Sequence, residues 1–133
     1  MSRKSARETA FKTIFEIPFH TQDEPIEIIN FTVEYAKDDI KSSSDTQYFK
    51  DVTTKCYENI EAIDDKISVN LKSWSVDRIS KVNLAILRLA ICEILYMDDI
   101  PYQVTINEAV ELAKKYSDDD SPAFINGVLA STI

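Results

Sequence analysis

The sequence holds a single glycine, Gly127, in 133 residues. Glycine lets the backbone turn left-handed or approach a phosphate closely, so its near-absence excludes Gly-rich nucleotide loops and dinucleotide-binding fingerprints. Histidine is equally scarce: His20 stands beside Pro18, and no second His or Cys lies at ligand spacing, which argues against a zinc site. The two cysteines, Cys56 and Cys92, are surrounded by apolar residues on predicted helices and read as buried, reduced thiols. Either would have to leave the core to form a nucleophilic pair with His20. No uninterrupted apolar run approaches about eighteen residues and the N-terminus is charged, so neither a membrane span nor a signal peptide is expected. The expected compartment is the cytoplasm. Strand-like alternation with β-branched residues is missing too. What remains is helix, and the expected fold class is all-α: one domain over residues 1–133, with about seven helices in two small helical bundles around a buried central helix.

The central helix is the plainest feature. LAILRLAICEILY, Leu84 to Tyr96, has eleven apolar residues in thirteen, broken by Arg88 and Glu93, so it is apolar all round and belongs inside the fold. Ser75 or Asp77 is expected to cap it, and Ile100–Pro101 to stop it. Upstream, Ala6, Ala10, Ile14 and Ile17 form the stripe of a first helix that ends at Pro18, with Ser5 and Glu8 at capping-box spacing. Asp23 reads as the N-cap of a second helix carrying Ile26, Ile29, Val33, Ala36 and Ile40 on one face. Lys41 to Ser44 reads as a linker, with Ser44 and Gln47 capping a long third element. That element keeps phase through Phe49, Val52, Cys56, Ile60, Ile63, Ile67 and Leu71, and a break is expected near Asp64 and Asp65. Thr105 and Glu108 again have capping-box spacing, with Ile106, Ala109, Val110 and Ala113 as the apolar face that follows. Ser121 and Pro122 open the last helix.

Charge is distributed unevenly. The net charge is −8, yet residues 1–15 carry Arg3, Lys4, Arg7 and Lys12 against Glu8, a surplus of three positive charges. A basic tip on an acidic body suits weak RNA binding at the tip and a basic protein elsewhere; a solvated acidic surface is the bland alternative. Arg88 and Glu93 point about 140° apart on a helix and need other partners. Glu108 or Glu111 is expected for Arg88, and Lys115 is an alternative partner for Glu111. Asn107 and Asn126 are expected as buried hydrogen-bonding residues at helix crossings. The acidic run Asp118 to Asp120 lacks the spacing of a calcium loop and precedes a helix, where negative charge favours the helix dipole. No arrangement of catalytic, metal-binding or cofactor-binding residues emerges.

ILR, INEAVELAK and FINGVL follow one another in the C-terminal third, preceded by SRKSARETAFKTIFE, YFKDVTTKCYENIEAIDDKI and WSVDRISKVNLAILRLA. In that order these segments resemble the NusB family of bacterial antitermination factors over nearly the whole chain. The resemblance implies a non-enzymatic, all-helical protein that pairs with NusE, the tenth small-subunit ribosomal protein. That pair is expected to bind boxA-type RNA of ribosomal leaders and to join other Nus factors on RNA polymerase. On the matching positions it implies RNA contacts from Arg3, Lys4, Arg7 and Phe15 and, near the last helix, from Asp120, Ser121 and Phe124. Arg3, Arg7, Phe11 and Phe15 also share one i,i+4 row, although for the two phenylalanines core burial is the leading reading of the residues themselves. Partner contacts are implied at Asp77, Arg78, Lys81 and Asn83. Two departures stand out: Ala123 where the family often has lysine, and Asn83 where it often has an acid.

Two other readings compete with this one. One is a helical protein-interaction adaptor that has lost RNA recognition, motivated by Ala123 and the acidic run. The other is an RNA-binding module of the kind fused to ribosomal RNA cytosine methyltransferases, disfavoured by the lack of room for a methyl-donor fold before Ile133. If Arg3, Lys4 and Arg7 each neutralise one phosphate, the log–log salt slope on single-stranded RNA is about −2. Asp77→Lys is expected to weaken the heterodimer in a pull-down titration while leaving helical content unchanged; unaltered affinity would remove this position from the interface.

Overall fold

In the computed structural model, which describes residues 3–35, 43–71 and 78–133, the helix Lys81–Tyr96 is buried over most of its surface, with Lys81 and Leu95 exposed. It is the fifth of seven α-helices among the described residues: α1 (Arg3–Glu16), α2 (Pro25–Tyr35), α3 (Ser43–Glu58), α4 (Ile60–Val69), α5 (Lys81–Tyr96), α6 (Tyr102–Tyr116) and α7 (Ser121–Ala130), with a 3-10 turn at Ile17–Phe19. No strand occurs among the described residues. Ile86, Leu87, Leu89, Ile91 and Cys92 project from α5 in different directions, so apolar surface on every side must be covered. Helices α1, α3 and α4 cover one side and α6 and α7 the other, giving two bundles that share the rod. Helix α2 packs on α1 and α3, where Ile17, Ile28 and Ile29 form a small second cluster against Tyr57. No helix among the described residues is long and apolar enough to cross a membrane.

The apolar stripes are where the periodicity put them. Ala6, Ala10, Ile14 and Ile17 are buried, as are Phe49, Val52, Cys56, Ile63, Ile67 and Leu71. Both cysteines are free and enclosed, and burial pushes the Cys56 thiol up to about 12. On α2, Ile29 is buried, but Ile26 faces solvent and Ile28 takes the second inward position. On α6, Thr105 and Leu112 join Ala109 and Ala113 inside, while Ile106 and Val110 are half-buried. Ala36, Ile40, Lys41, Trp74, Ser75 and Asp77 lie outside the described residues.

Helix ends depart from the sequence expectations more than helix faces do. Ser5 with Glu8, Ser44 with Gln47 and Thr105 with Glu108 all fall inside helices rather than at their starts. A Ser/Thr three residues before Glu/Gln arises in any amphipathic stretch, and only a backbone N–H lacking a partner makes it a cap. The central helix is capped by Ser80, whose Oγ accepts the Asn83 N–H at 3.1 Å. It ends at Tyr96, several residues before Pro101; Pro101 instead stands at the N-cap position of α6. Helix α2 begins at Pro25, where the Glu24 carbonyl accepts the Glu27 N–H. Ser121 is the first residue of α7, and Asp120 takes the N-cap position without a side-chain bond.

The break in the long third element falls at Asn59, not at Asp64 and Asp65. The Asn59 backbone N–H and side-chain amide both donate to the Lys55 carbonyl, at 3.1 and 2.9 Å, closing the end of α3. Asp64 is then free for a different task. It receives Arg88 through two bonds, from Nε at 2.9 Å and Nη2 at 2.8 Å. This corrects the expected pairing of Arg88 with Glu108 or Glu111, and it ties α4 to the rod. Burial opposes the Arg88 charge, but the bonds to Asp64 outweigh it and raise its pKa. Asn107 and Asn126 are exposed rather than buried at crossings; the enclosed asparagine is Asn83. Arg88→Met, which leaves Asp64 without its cation on a partly exposed side, is expected to cost about 1–2 kcal/mol in chemical unfolding, and unchanged stability would contradict the tie.

Candidate nucleic-acid interface

Helix α1 carries the basic tip, and the structure separates its cations by environment. Arg7 is 5% exposed. Its Nε donates to Glu93 Oε2 at 2.7 Å and its Nη2 to Oε1 at 3.3 Å. Thr105 Oγ1 of α6 donates to Oε1 at 2.7 Å, and the Tyr48 hydroxyl of α3 donates to Oε2. Glu93, on the buried rod, thus accepts from α1, α3 and α6 at once. Burial acts to lower the Arg7 pKa, but the hydrogen bond and charge of Glu93 prevail and raise it, so Arg7 stays cationic. Burial, then the Glu93 charge, raises the Tyr48 phenol and keeps it a donor. Arg7 therefore anchors α1 through a guanidinium that is largely enclosed, its Nη1 also 3.7 Å from Glu108 at the border of the α1–α6 cleft.

Arg3 and Lys4 face outward. Arg3 Nε bonds Asp45 at 3.0 Å, with its guanidinium 4.6 Å from the centre of the Tyr48 ring. Lys4 reaches Glu108 at 3.8 Å and keeps 66% of its side chain exposed. Along the line where α1 meets α6, a cleft of about 230 Å³ is lined by Lys4, Arg7, Glu8, Glu108, Glu111, Leu112, Lys114 and Lys115. Lys115 reaches across to Glu8 at 3.0 Å instead of pairing with Glu111, which takes Lys114 at 3.4 Å. Tyr116 donates to Glu8 at 2.7 Å, its ring packs 5.1 Å from Phe11, and the ammonium groups of Lys12 and Lys115 lie 5.7 and 5.3 Å from its centre. An aromatic ring flanked by exposed lysines suits stacking against a base with phosphates nearby.

Sequence reasoning did not include Lys12, Lys114, Lys115 or Tyr116 in the site. LAKKY at the end of α6 was visible as a basic cluster, but its position beside α1 is a tertiary fact. Phe15 is half-buried and packs 5.4 Å from Phe19, while Phe11 is core. The second expected RNA region begins where α6 ends. There Ser117 donates to Asn83 Oδ1 at 2.8 Å, Asn83 Nδ2 donates to Ser121 Oγ at 2.9 Å, and Ser121 donates to Asp118 at 2.9 Å. The Ser121 hydroxyl first, then the backbone and Ser117, hold Asp118 below the usual carboxylate range. Ser121 is consequently buried, Phe124 half-buried, and Asp120 exposed. Among the partner-facing candidates, Arg78 and Lys81 are exposed, Asn83 is 8% exposed and engaged in this network, and Asp77 lies outside the described residues.

The fold coincides with that of a known group of proteins. A model of the NusB family matches residues 4–133. The chain belongs to the NusB family. Family members are antitermination factors and not enzymes. Its relatives include the transcription antitermination protein NusB of Ruminiclostridium cellulolyticum, 42% identical over 130 residues and covering 98% of this chain and 87% of that protein. Another is the NusB of Clostridium botulinum strain Alaska E43, 46% identical over 129 residues, covering 97% and 96%. Among solved structures, T. maritima NusB superposes with a TM-score of 0.88 at 34% identity, covering 99% of this chain and 90% of that one. A crystal structure of the antitermination factors NusB and NusE in complex with dsRNA gives a TM-score of 0.84 at 31% identity, covering 98% and 94%.

Within this NusB-family fold, the Glu8 contacts make a measurable electrostatic link between α1 and α6. Partial burial alone would raise the Glu8 pKa, but the bonds from Tyr116 and Lys115 outweigh it and hold it below its ordinary value. A carboxylate lowered on folding contributes stability above its unfolded pKa, about 4.3, and loses that contribution as pH falls through the folded value. The stability difference between the parent chain and Glu8→Gln is therefore expected to be largest near neutral pH and to shrink below pH of about 4; a pH-independent difference in thermal unfolding would contradict the link.

Proposed function

We propose that the chain acts in transcription antitermination as a heterodimer with NusE, that the pair binds boxA-type RNA of ribosomal leaders, and that it joins other Nus factors on RNA polymerase. The observation that carries this reading is the family match across residues 4–133. The NusB–NusE–dsRNA structure, which shares the fold over 98% of this chain, supports the choice of partners. RNA lies along the α1–α6 edge and reaches the start of α7. Arg3, Lys4, Lys12 and Lys115 attract phosphates, while Tyr116, Phe15 and Phe124 offer partly accessible aromatic edges. Arg7 and Ser121 serve this surface by position: the first holds α1 against the rod through Glu93, and the second holds the α6–α7 connection through Asn83 and Asp118. NusE docks at the start of α5, around Asp77, Arg78 and Lys81, with Asn83 beneath. NusE is a basic protein, so the acidic body of this chain favours their encounter.

Fluorescence anisotropy with labelled boxA RNA and a scrambled control, with and without NusE, tests this reading. Selective binding that strengthens with NusE is expected. Lys4→Ala and Lys115→Ala are each expected to reduce the magnitude of the log–log salt slope by about 0.7. Binding of NusE with no RNA preference would favour the interaction-only adaptor, which the carboxylates of Asp118 and Asp120 beside the α7 region would suit. Equal slopes for parent and variants would remove the α1–α6 edge from the interface.

A further inference from the structure

Residues 13–36 contain five acids, Glu16, Asp23, Glu24, Glu27 and Glu34, and no lysine or arginine. The same segment exposes large apolar side chains. Phe31 and Tyr35 are 62% and 72% exposed, and Phe19 and Ile26 also face outward. Single exposed hydrophobics are ordinary on a protein surface, but these are organised. Glu27, Phe31 and Tyr35 follow one another at four-residue spacing on α2, and the two rings stack with centroids 4.3 Å apart. With Glu16, His20 and Asp23 they line an open groove of about 520 Å³. The His20 imidazole braces its wall, 2.8 Å from Glu16 and 3.7 Å from Asp23. Helix α2 already buries Ile28 and Ile29 on its inner side, so this is a second, outward apolar stripe with an acidic border.

We propose that the α2 groove docks a protein segment that presents lysine or arginine together with apolar side chains. Charge complementarity selects this occupant. A cation entering the groove meets the faces of the stacked Phe31–Tyr35 pair and the carboxylates of Glu16, Asp23 and Glu27, while apolar neighbours on the same segment cover Phe31 and Tyr35. Among the described residues that line it, the groove offers phosphate no lysine or arginine, so its chemistry favours a cationic segment over RNA. A second copy of the chain would set one acidic border against another. The groove belongs to α2, which packs on α1 and α3, whereas the proposed RNA edge lies along α1 and α6 and the proposed NusE site at the start of α5. The occupant is thus a further partner, held alongside the other two.

A fluorescently labelled helical peptide with one leucine face and one lysine face, titrated with the full chain, is the direct probe. Controls are the same peptide with glutamate for lysine and one with serine for leucine. The leucine–lysine peptide is expected to bind more tightly than either control. Phe31→Ser with Tyr35→Ser, and separately Glu27→Lys, are each expected to weaken it by about tenfold or more, with helical content and boxA RNA binding unchanged. All three positions are exposed, so the fold tolerates these changes, and circular dichroism verifies it. Failure of the parent chain to bind, equal binding by the variants, or equal binding of the glutamate peptide would overturn the proposal. So would sedimentation showing a parent dimer that Phe31→Ser converts to monomer, since a second copy would then be the occupant.

Discussion

One buried carboxylate, that of Glu93, organises the packing of this molecule. It lies 1% exposed on the rod that the main core surrounds, and an unpaired charge there would be untenable. Arg7 supplies the counter-charge and Tyr48 and Thr105 complete the hydrogen bonding, so α1, α3 and α6 each meet α5 at one defined point. Apolar packing alone would allow these helices to slide or rotate with little penalty; a carboxylate with three directional donors does not. The register of α1 against α6 follows, and with it the approach of Glu8 to Lys115 and Tyr116 that forms the cationic edge.

Helix faces were legible in the sequence because burial repeats with the helical period: the α1 and α3 stripes and the all-round apolar rod needed no tertiary information. Helix ends were less so. Three capping-box spacings fell inside helices, while Ser80, which does cap α5, lies at no glutamate spacing and was passed over. The charged residues of the rod have partners that the sequence did not single out: Asp64, expected as a helix break, pairs with Arg88, and Arg7, expected as an RNA contact, pairs with Glu93. A sequence displays that a charge is present but not which helix lies opposite it. For the same reason Arg7 and Lys115 exchange the prominence that linear position gave them.

The charge asymmetry acquires a spatial meaning. Cations gather where α1 meets α6, and acids gather on α2 around exposed aromatic rings. In the proposed assembly with RNA and proteins such separation sorts the ligands, because each surface repels the partner of the other.

The central claim is that the Arg7–Glu93 pair locks the helices together, and a double-mutant cycle by chemical unfolding tests it most directly. Glu93→Gln removes the charge and keeps one of the two acceptor oxygens that Tyr48 and Thr105 use, and Arg7→Met removes the cation while keeping the bulk. Each single change is predicted to cost about 3–5 kcal/mol by stranding a buried charge, with the double variant losing less than the two singles combined by about 1 kcal/mol or more. Additive losses, or single variants as stable as the parent chain, would contradict the account.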